Sequence, residues 1–121
     1  MRYDRINSIY PRRGDVVWIN LDPQKGPEQR GHRPAVVLSR SDYNKKTRLA
    51  VICPITTKGK GYPFEVSIPA DLAVTGVILA DQIRCVAWRE RNATFICQIP
   101  VATLEEVWQK IELLLEIPKE G

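Results

Sequence analysis

Six short runs rich in valine and isoleucine constrain the fold of this chain more than any other feature. Each run is bounded by Gly, Pro, Asn or Asp, and this combination is typical of β-strands separated by turns. Six strands at this spacing predict a sheet that closes, or nearly closes, on itself. The predicted strands are 15–21, 34–39, 48–55, 64–68, 77–84 and 93–99.

The C-terminal segment has a helical period instead. Its apolar residues recur every three or four positions and so share one helix face, which we expect to pack on the core and cover one side of the barrel. Thr103 and Glu106 have the spacing of a capping box, and Pro118 is expected to stop the helix after Ile117. The apolar positions are Leu104, Val107, Trp108, Ile111, Leu114 and Leu115.

The size and composition fit one compact domain spanning residues 1–121, with 44% apolar residues. Residues 1–13 contain no apolar run that suits a secretory signal, and no later run is apolar enough to span a bilayer, so we expect a cytoplasmic protein. Cys53, Cys85 and Cys97 show no CxxC spacing and lie in apolar runs. They are predicted to be reduced core thiols.

Two polar loops, 22–33 and 56–62, are longer than tight hairpin turns. The net charge is only +4, but lysine and arginine concentrate in these loops, whereas the C-terminal segment is rich in Glu. A clustered basic surface of this kind suggests a polyanionic partner.

Most catalytic chemistries are disfavoured by the residues present. The chain has one histidine and lacks HExxH, DxD and any Cys/His ligand set, so we expect no metal and no cofactor. It also lacks the Walker spacing and the GxSxG pattern. A single histidine further excludes a ribonuclease that shuttles protons between two imidazoles.

The remaining candidates lie in the two loops and suit metal-free cleavage of RNA, which needs a base, cationic donors at the phosphorane and an acid. Arg33 can fork onto two phosphate oxygens, Glu28 can act as the base, and Thr56 can donate a hydrogen bond. Each also has a structural alternative: an exposed strand-start arginine, a solvated loop acid and a β-forming threonine. His32 is a weaker candidate acid. Trp18, Tyr62 and Trp88 are either base-stacking or core aromatics.

Five sequence blocks, taken in order, resemble the MazF/PemK toxins, and the resemblance extends over roughly residues 11–117. The blocks are RGD at 13–15, KGPEQRGHRPAVVL at 25–38, PITT at 54–57, KGYPF at 60–64 and LADQIR at 79–84.

The resemblance implies a mainly β, SH3-like small barrel of the CcdB/MazF/PemK type with a C-terminal helix, and a twofold homodimer. It also implies metal-free endoribonuclease cleavage of single-stranded mRNA at a short base motif, giving 2′,3′-cyclic phosphate and 5′-hydroxyl ends. Arg33 and Thr56 fall on the family's catalytic pair, and Glu28 on an acid implicated in some members. The RNA-binding positions would be Lys25, Gln29, Arg30, His32, Thr57, Lys58, Lys60, Tyr62 and Gln82.

The family also implies a cognate antitoxin whose acidic, disordered tail lies across the basic loops. Two alternatives remain open. One is a gyrase-poisoning toxin of the same barrel, although the chain ends in IPKEG rather than in a hydrophobic tail. The other is a non-catalytic RNA-binding barrel, which would not need Arg33 and Thr56 together.

Overall fold

The structure is a computed structural model that describes residues 10–21 and 32–116. Within these residues the chain forms one seven-stranded sheet whose pairings are all antiparallel, with two α-helices. This confirms a mainly β fold with a C-terminal helix. The strands are β1 Asp15–Asn20, β2 His32–Val37, β3 Ala50–Thr56, β4 Glu65–Ser67, β5 Val77–Leu79, β6 Arg84–Val86 and β7 Thr94–Gln98, and the helices are α1 Ser41–Thr47, α2 Val101–Leu114 and a 3-10 helix Ala80–Gln82.

Strand β3 lies at the centre of the sheet. The strand order is β4-β5-β3-β2-β1-β7, and β6 also pairs with β3. One edge of β3 therefore pairs with β2. The other edge pairs with β6 at the start of β3 and with β5 at its end. The polar loop 56–62 begins at the end of this central strand.

The predicted strand 77–84 is wrong as a single element, because the 3-10 helix interrupts it. Ile78 pairs with Ile55 and Arg84 pairs with Ile52, so residues 79–83 face only two residues of β3. The surplus chain folds into the 3-10 helix, whose Ala80 is fully buried. The apolar run 77–84 does not reveal these extra residues, because their number depends on how many residues of β3 are available for pairing.

Both faces of the sheet are covered by apolar side chains. Successive strand residues point to opposite faces, and Val16 and Val17 accordingly join different clusters. The first cluster contains Val107 and Ile111 of α2. The second contains Trp88 and Ala93. Burial on both faces explains why the strands are continuous apolar runs rather than alternating ones.

Helix α2 begins at Val101, directly after Pro100, which holds an extended backbone (φ −62, ψ 149) and makes no side-chain cap hydrogen bond. The predicted capping box is therefore wrong, and Thr103 is buried inside the first turn. The helix also ends at Leu114, before the predicted end at Ile117, which lies outside the described residues.

The apolar stripe of α2 is only partly a core face. Leu104, Val107 and Ile111 pack against the first cluster, as predicted. Trp108, Leu114 and Leu115 are 59%, 40% and 65% exposed, so for them the core prediction is wrong.

Helix α1 was not predicted, because the segment 41–47 has no apolar period. Its anchor is polar: the fully buried Asn44 side chain donates to the carbonyls of Pro11 (3.0 Å) and Ser39 (3.1 Å). Arg48 ends the helix in the left-handed conformation (φ 62). The predicted strand 48–55 therefore starts only at Ala50.

The three cysteines are all free, but they differ in exposure. Cys53 is buried and Cys97 is half-buried, whereas Cys85 is exposed on β6. The prediction of a core thiol is therefore wrong for Cys85, because β6 is a short strand with its side chain directed away from the core. Among the described residues, no helix combines the length and apolarity needed to cross a membrane.

Candidate functional site

The fold brings Arg33 and Thr56 to the same end of two neighbouring central strands. Arg33 is the exposed second residue of β2, and Thr56 is the half-buried last residue of β3. These strands pair with Ala35 opposite Pro54. Continuing that register by two residues sets Arg33 opposite Thr56, and cross-strand partners project from the same face. A guanidinium and a hydroxyl thus extend from neighbouring, rigidly paired strands.

The backbone around Thr56 is closely packed. The Thr56 side-chain oxygen accepts a hydrogen bond from the backbone N–H of Lys58 at 3.1 Å. Gly76 lies so close that a Cβ atom there would sit 2.1 Å from the Thr56 carbonyl oxygen, and its φ of +115 also favours glycine. Gly76 therefore allows the turn before β5 to pass the end of β3. Sequence reasoning missed this residue because a single glycine between predicted strands has many explanations.

The second loop presents its polar residues to solvent. Thr57, Lys58, Lys60 and Tyr62 are all exposed. Glu65, the first residue of β4, accepts hydrogen bonds from the backbone N–H groups of Lys60 (2.9 Å) and Gly61 (3.0 Å). The loop is thus attached to the sheet through one carboxylate. Sequence reasoning missed Glu65, whose only signal is an acid directly after a loop rich in Lys and Gly.

Tyr62 and Gln82 approach the same region from different elements. Tyr62 is 48% exposed, and its ring centre lies 6.0 Å from that of Phe64. A side-chain hydrogen bond to Asp81, together with the charge of that carboxylate, raises the pKa of Tyr62. Asp81 and the exposed Gln82 both belong to the 3-10 helix. The charge of Asp81 in this helix therefore acts on Tyr62 of the second loop.

The aromatic candidates have different surroundings. Trp18 is 40% exposed and stacks on His32, with ring centres 5.2 Å apart and an interplanar angle of 26°. Trp88 is 5% exposed, and its ring N–H donates to the Asn44 carbonyl at 3.0 Å. Trp88 is therefore a core residue, whereas Trp18 and Tyr62 offer accessible rings.

Four of the predicted site residues, Lys25, Glu28, Gln29 and Arg30, lie outside the described residues. Over 10–21 and 32–116, no three His, Cys, Asp or Glu side chains come together in a group suited to a metal ion. The described part of the site offers a guanidinium, hydroxyls and lysine amines, a donor set suited to a phosphodiester.

Residues 12–115 match the family of PemK-like, MazF-like toxins of type II toxin–antitoxin systems. The endoribonuclease toxin MazF of Escherichia coli strain K12 is 44% identical over 110 residues, which cover 91% of this chain and 98% of that protein. The endoribonuclease PemK of E. coli is 31% identical over 107 residues, covering 85% of this chain and 80% of that protein.

Solved structures agree with the sequence relatives. A crystal structure of MazF from Deinococcus radiodurans has a TM-score of 0.82 and 48% identity, covering 89% of this chain and 98% of that one. A crystal structure of MazE–MazF from the same organism has a TM-score of 0.80 and 43% identity, covering 90% and 98%. The match of the family model over most of the chain, together with these relatives, shows that the chain belongs to the PemK-like, MazF-like toxins of type II toxin–antitoxin systems.

Proposed function

We propose that this toxin cleaves single-stranded mRNA at a short base motif, without a metal ion, and leaves 2′,3′-cyclic phosphate and 5′-hydroxyl ends in the cytoplasm. Its MazF and PemK relatives are endoribonucleases, and on that basis the chain is an RNA-cleaving enzyme. The base motif, the metal independence and the product ends are the added content of the proposal.

The observation that carries the proposal is the β2–β3 register: Ala35 pairs with Pro54, and two further residues in the same register set Arg33 opposite Thr56. In the reaction the 2′-oxygen attacks phosphorus, the bond to the 5′-oxygen breaks, and negative charge develops on the non-bridging oxygens. A bidentate guanidinium at Arg33 and a hydroxyl donor at Thr56 would stabilise that charge. Glu28 would take the proton of the 2′-hydroxyl, and the departing 5′-oxygen would take up a proton from water to become the 5′-hydroxyl.

The two loops would bind the flanking nucleotides. Exposed Lys58 and Lys60 supply phosphate contacts, while Tyr62 and His32 supply rings. Thr57 and Gln82 are exposed and would add hydrogen-bonding groups. Lys25, Gln29 and Arg30 would extend the binding surface from the first loop.

An antitoxin is part of the proposal. The D. radiodurans MazE–MazF structure contains this kind of toxin together with its antitoxin. By analogy, an antitoxin with an acidic, disordered tail would compete with RNA for the basic loops, and both interactions would weaken with salt through counterion release.

Primer extension on a long transcript, after incubation with the pure protein in excess EDTA, tests the proposal. We expect cuts at one recurring short motif, and we expect the 5′ ends of the products to accept phosphate from a kinase without prior dephosphorylation. Cutting that disappears in EDTA and returns with magnesium would contradict metal independence. Binding of RNA with no cutting under any condition would favour a non-catalytic barrel.

A further inference from the structure

Glu65 accepts two backbone hydrogen bonds from the loop that carries Lys58 and Lys60. A surface acid beside two lysines would be expected to pair with their amines instead. Its two carboxylate oxygens face different donors: Oε2 accepts from Lys60 N–H at 2.9 Å and Oε1 from Gly61 N–H at 3.0 Å. In return, the Glu65 N–H donates to the Tyr62 carbonyl at 3.0 Å. Three hydrogen bonds therefore close the segment 60–65 onto one residue.

Two glycines leave room for the Glu65 carboxylate to approach the loop backbone. A Cβ atom at Gly59 would lie 3.2 Å from Glu65 Oε1 and 3.3 Å from the Val77 methyl groups. Gly61 has a φ of +76, which turns its N–H toward the carboxylate at little backbone cost. At the other end of the loop, Lys58 N–H donates to the Thr56 hydroxyl oxygen at 3.1 Å. The loop is thus fixed at both ends by side chains of β3 and β4.

We propose that Glu65 is a positioning residue for RNA binding, which holds the second loop in the conformation that directs Lys58, Lys60 and Tyr62 toward the substrate. The inference rests on the proposed function, because it assumes that this loop binds RNA. Ion pairs of Glu65 with Lys58 or Lys60 do not occur among the described residues, so its carboxylate is engaged by amides and the amines remain for phosphates. A loop ordered before binding also avoids the entropy cost of ordering on the substrate.

The two possible roles of Glu65 predict opposite changes in RNA affinity when its side chain is removed. If Glu65 were only a surface acid, its removal would make the RNA site more positive, and RNA would bind more tightly. If Glu65 holds the loop, Glu65→Ala should weaken RNA binding and raise KM by about fivefold or more, despite the more favourable charge. The single-turnover rate at saturating RNA should change little, because Arg33 and Thr56 are held by β2 and β3.

The experiment compares Glu65→Ala, Glu65→Gln and the parent protein. Glu65→Gln keeps the side-chain size, but its amide has only one oxygen acceptor, so its NH₂ group faces the second N–H donor. We expect an intermediate KM for this variant. Glu106→Ala makes the same charge change on the exposed surface of α2 and should leave KM unchanged or slightly lower. Circular dichroism establishes that each variant is folded.

Two readouts separate this inference from the proposed function. Binding is measured by fluorescence anisotropy with a 2′-O-methyl RNA, which lacks the nucleophile and is not cut. Backbone amide exchange, measured by NMR, should be slow at Lys60 and Gly61 in the parent and faster in both Glu65 variants. Tighter or unchanged RNA binding by folded Glu65→Ala would overturn the inference, whereas a parent that binds RNA without cutting it would contradict the proposed function alone.

Discussion

The backbone of Arg33 has little conformational freedom, which distinguishes this residue from Lys58 and Lys60. Pro34 excludes the helical region for the residue before it, so Arg33 is extended. It also pairs with Ile19 on β1. Its guanidinium therefore projects from a paired strand, whereas Lys58 and Lys60 project from a loop. A preorganised donor is what a transition state with developing charge requires.

Arg33→Ala should lower the single-turnover cleavage rate at saturating RNA by a factor on the order of a hundred to a thousand, the scale for losing one preorganised donor. The fold should be little affected because the side chain is exposed. Arg33→Lys should restore little activity, since an ammonium group lacks the bidentate fork. Folded Arg33→Ala that cuts at the parent rate would make Arg33 a structural residue.

Lys58→Ala is the matched contrast to Arg33→Ala, because Lys58 is also an exposed cation. It should weaken RNA binding and reduce the salt dependence by about one phosphate contact. Its cleavage rate at saturating RNA should stay near that of the parent. A large loss of this rate would show that Lys58 takes part in catalysis and not only in RNA binding.

The thiols of Cys53 and Cys85 should differ in reactivity. Burial, and secondarily the charge of Asp81, raises the pKa of Cys53 from 9.0 to about 12. At pH 8 a thiol reagent should therefore label exposed Cys85 rapidly and Cys53 only after unfolding. Mass spectrometry of peptides from the labelled protein would measure both rates. Equal labelling of the two in the folded protein would contradict the buried position of Cys53.

The raised pKa of Cys53 also predicts a pH dependence of stability. The unfolded chain releases this proton more readily than the folded one, so the contribution is complete below pH 9 and is lost as the pH rises toward about 12. Between pH 9 and about 12, the free energy of unfolding, measured in urea, should therefore fall less steeply with pH for Cys53→Ala than for the parent. Parallel slopes for the two proteins would contradict this assignment.

At the scale of elements, the end of β3 depends on the turn that precedes β5. This turn crosses close to the Thr56 carbonyl, and Ile68 N–H donates to the Gly76 carbonyl at 3.0 Å. The turn thus joins the end of β3, the start of β5 and the segment after β4. A change at Gly76 should disturb both the stability of the sheet and the geometry at Thr56.

Gly76→Ala should destabilise the fold by about 3 kcal/mol, because the new Cβ meets backbone atoms and the positive φ is strained. Gly61→Ala is the matched control: its φ is also positive, but a Cβ there meets nothing within 4 Å. It should lose only about 1 kcal/mol, from backbone strain alone. Urea denaturation measures both values, and similar losses in the two variants would show that the close approach at Thr56 is unimportant.

At the scale of the whole molecule, we expect a homodimer. One small barrel offers a short basic edge, whereas two copies related by a twofold axis would combine their loops into a longer track for a single strand. Sedimentation at micromolar concentration should give about twice the chain mass of 13.8 kDa. A monomer that persists at these concentrations and still cuts RNA would contradict the dimer.

The sequence by itself determined the strand-rich fold, the C-terminal helix and the family. Valine-rich runs bounded by turn residues and a 3.6-residue period are local signals, which need no knowledge of the partner element. Arg33 and Thr56 were candidates from their place in the two polar loops, and the resemblance of blocks such as RGHRPAVV and PITT to the toxin family assigned them the catalytic roles. Their roles remain predictions.

Only the tertiary structure decided how these elements meet. Helix α1 depends on the buried polar contacts of Asn44 with Pro11 and Ser39, and polar anchors leave no apolar period. The break in the predicted strand 77–84 depends on pairing with β3. The exposure of Cys85 depends on the direction in which its side chain leaves the short strand β6. Glu65 and Gly76 act through backbone atoms of another segment. Contacts of this kind depend on distances in the folded chain, which local residue patterns do not reveal.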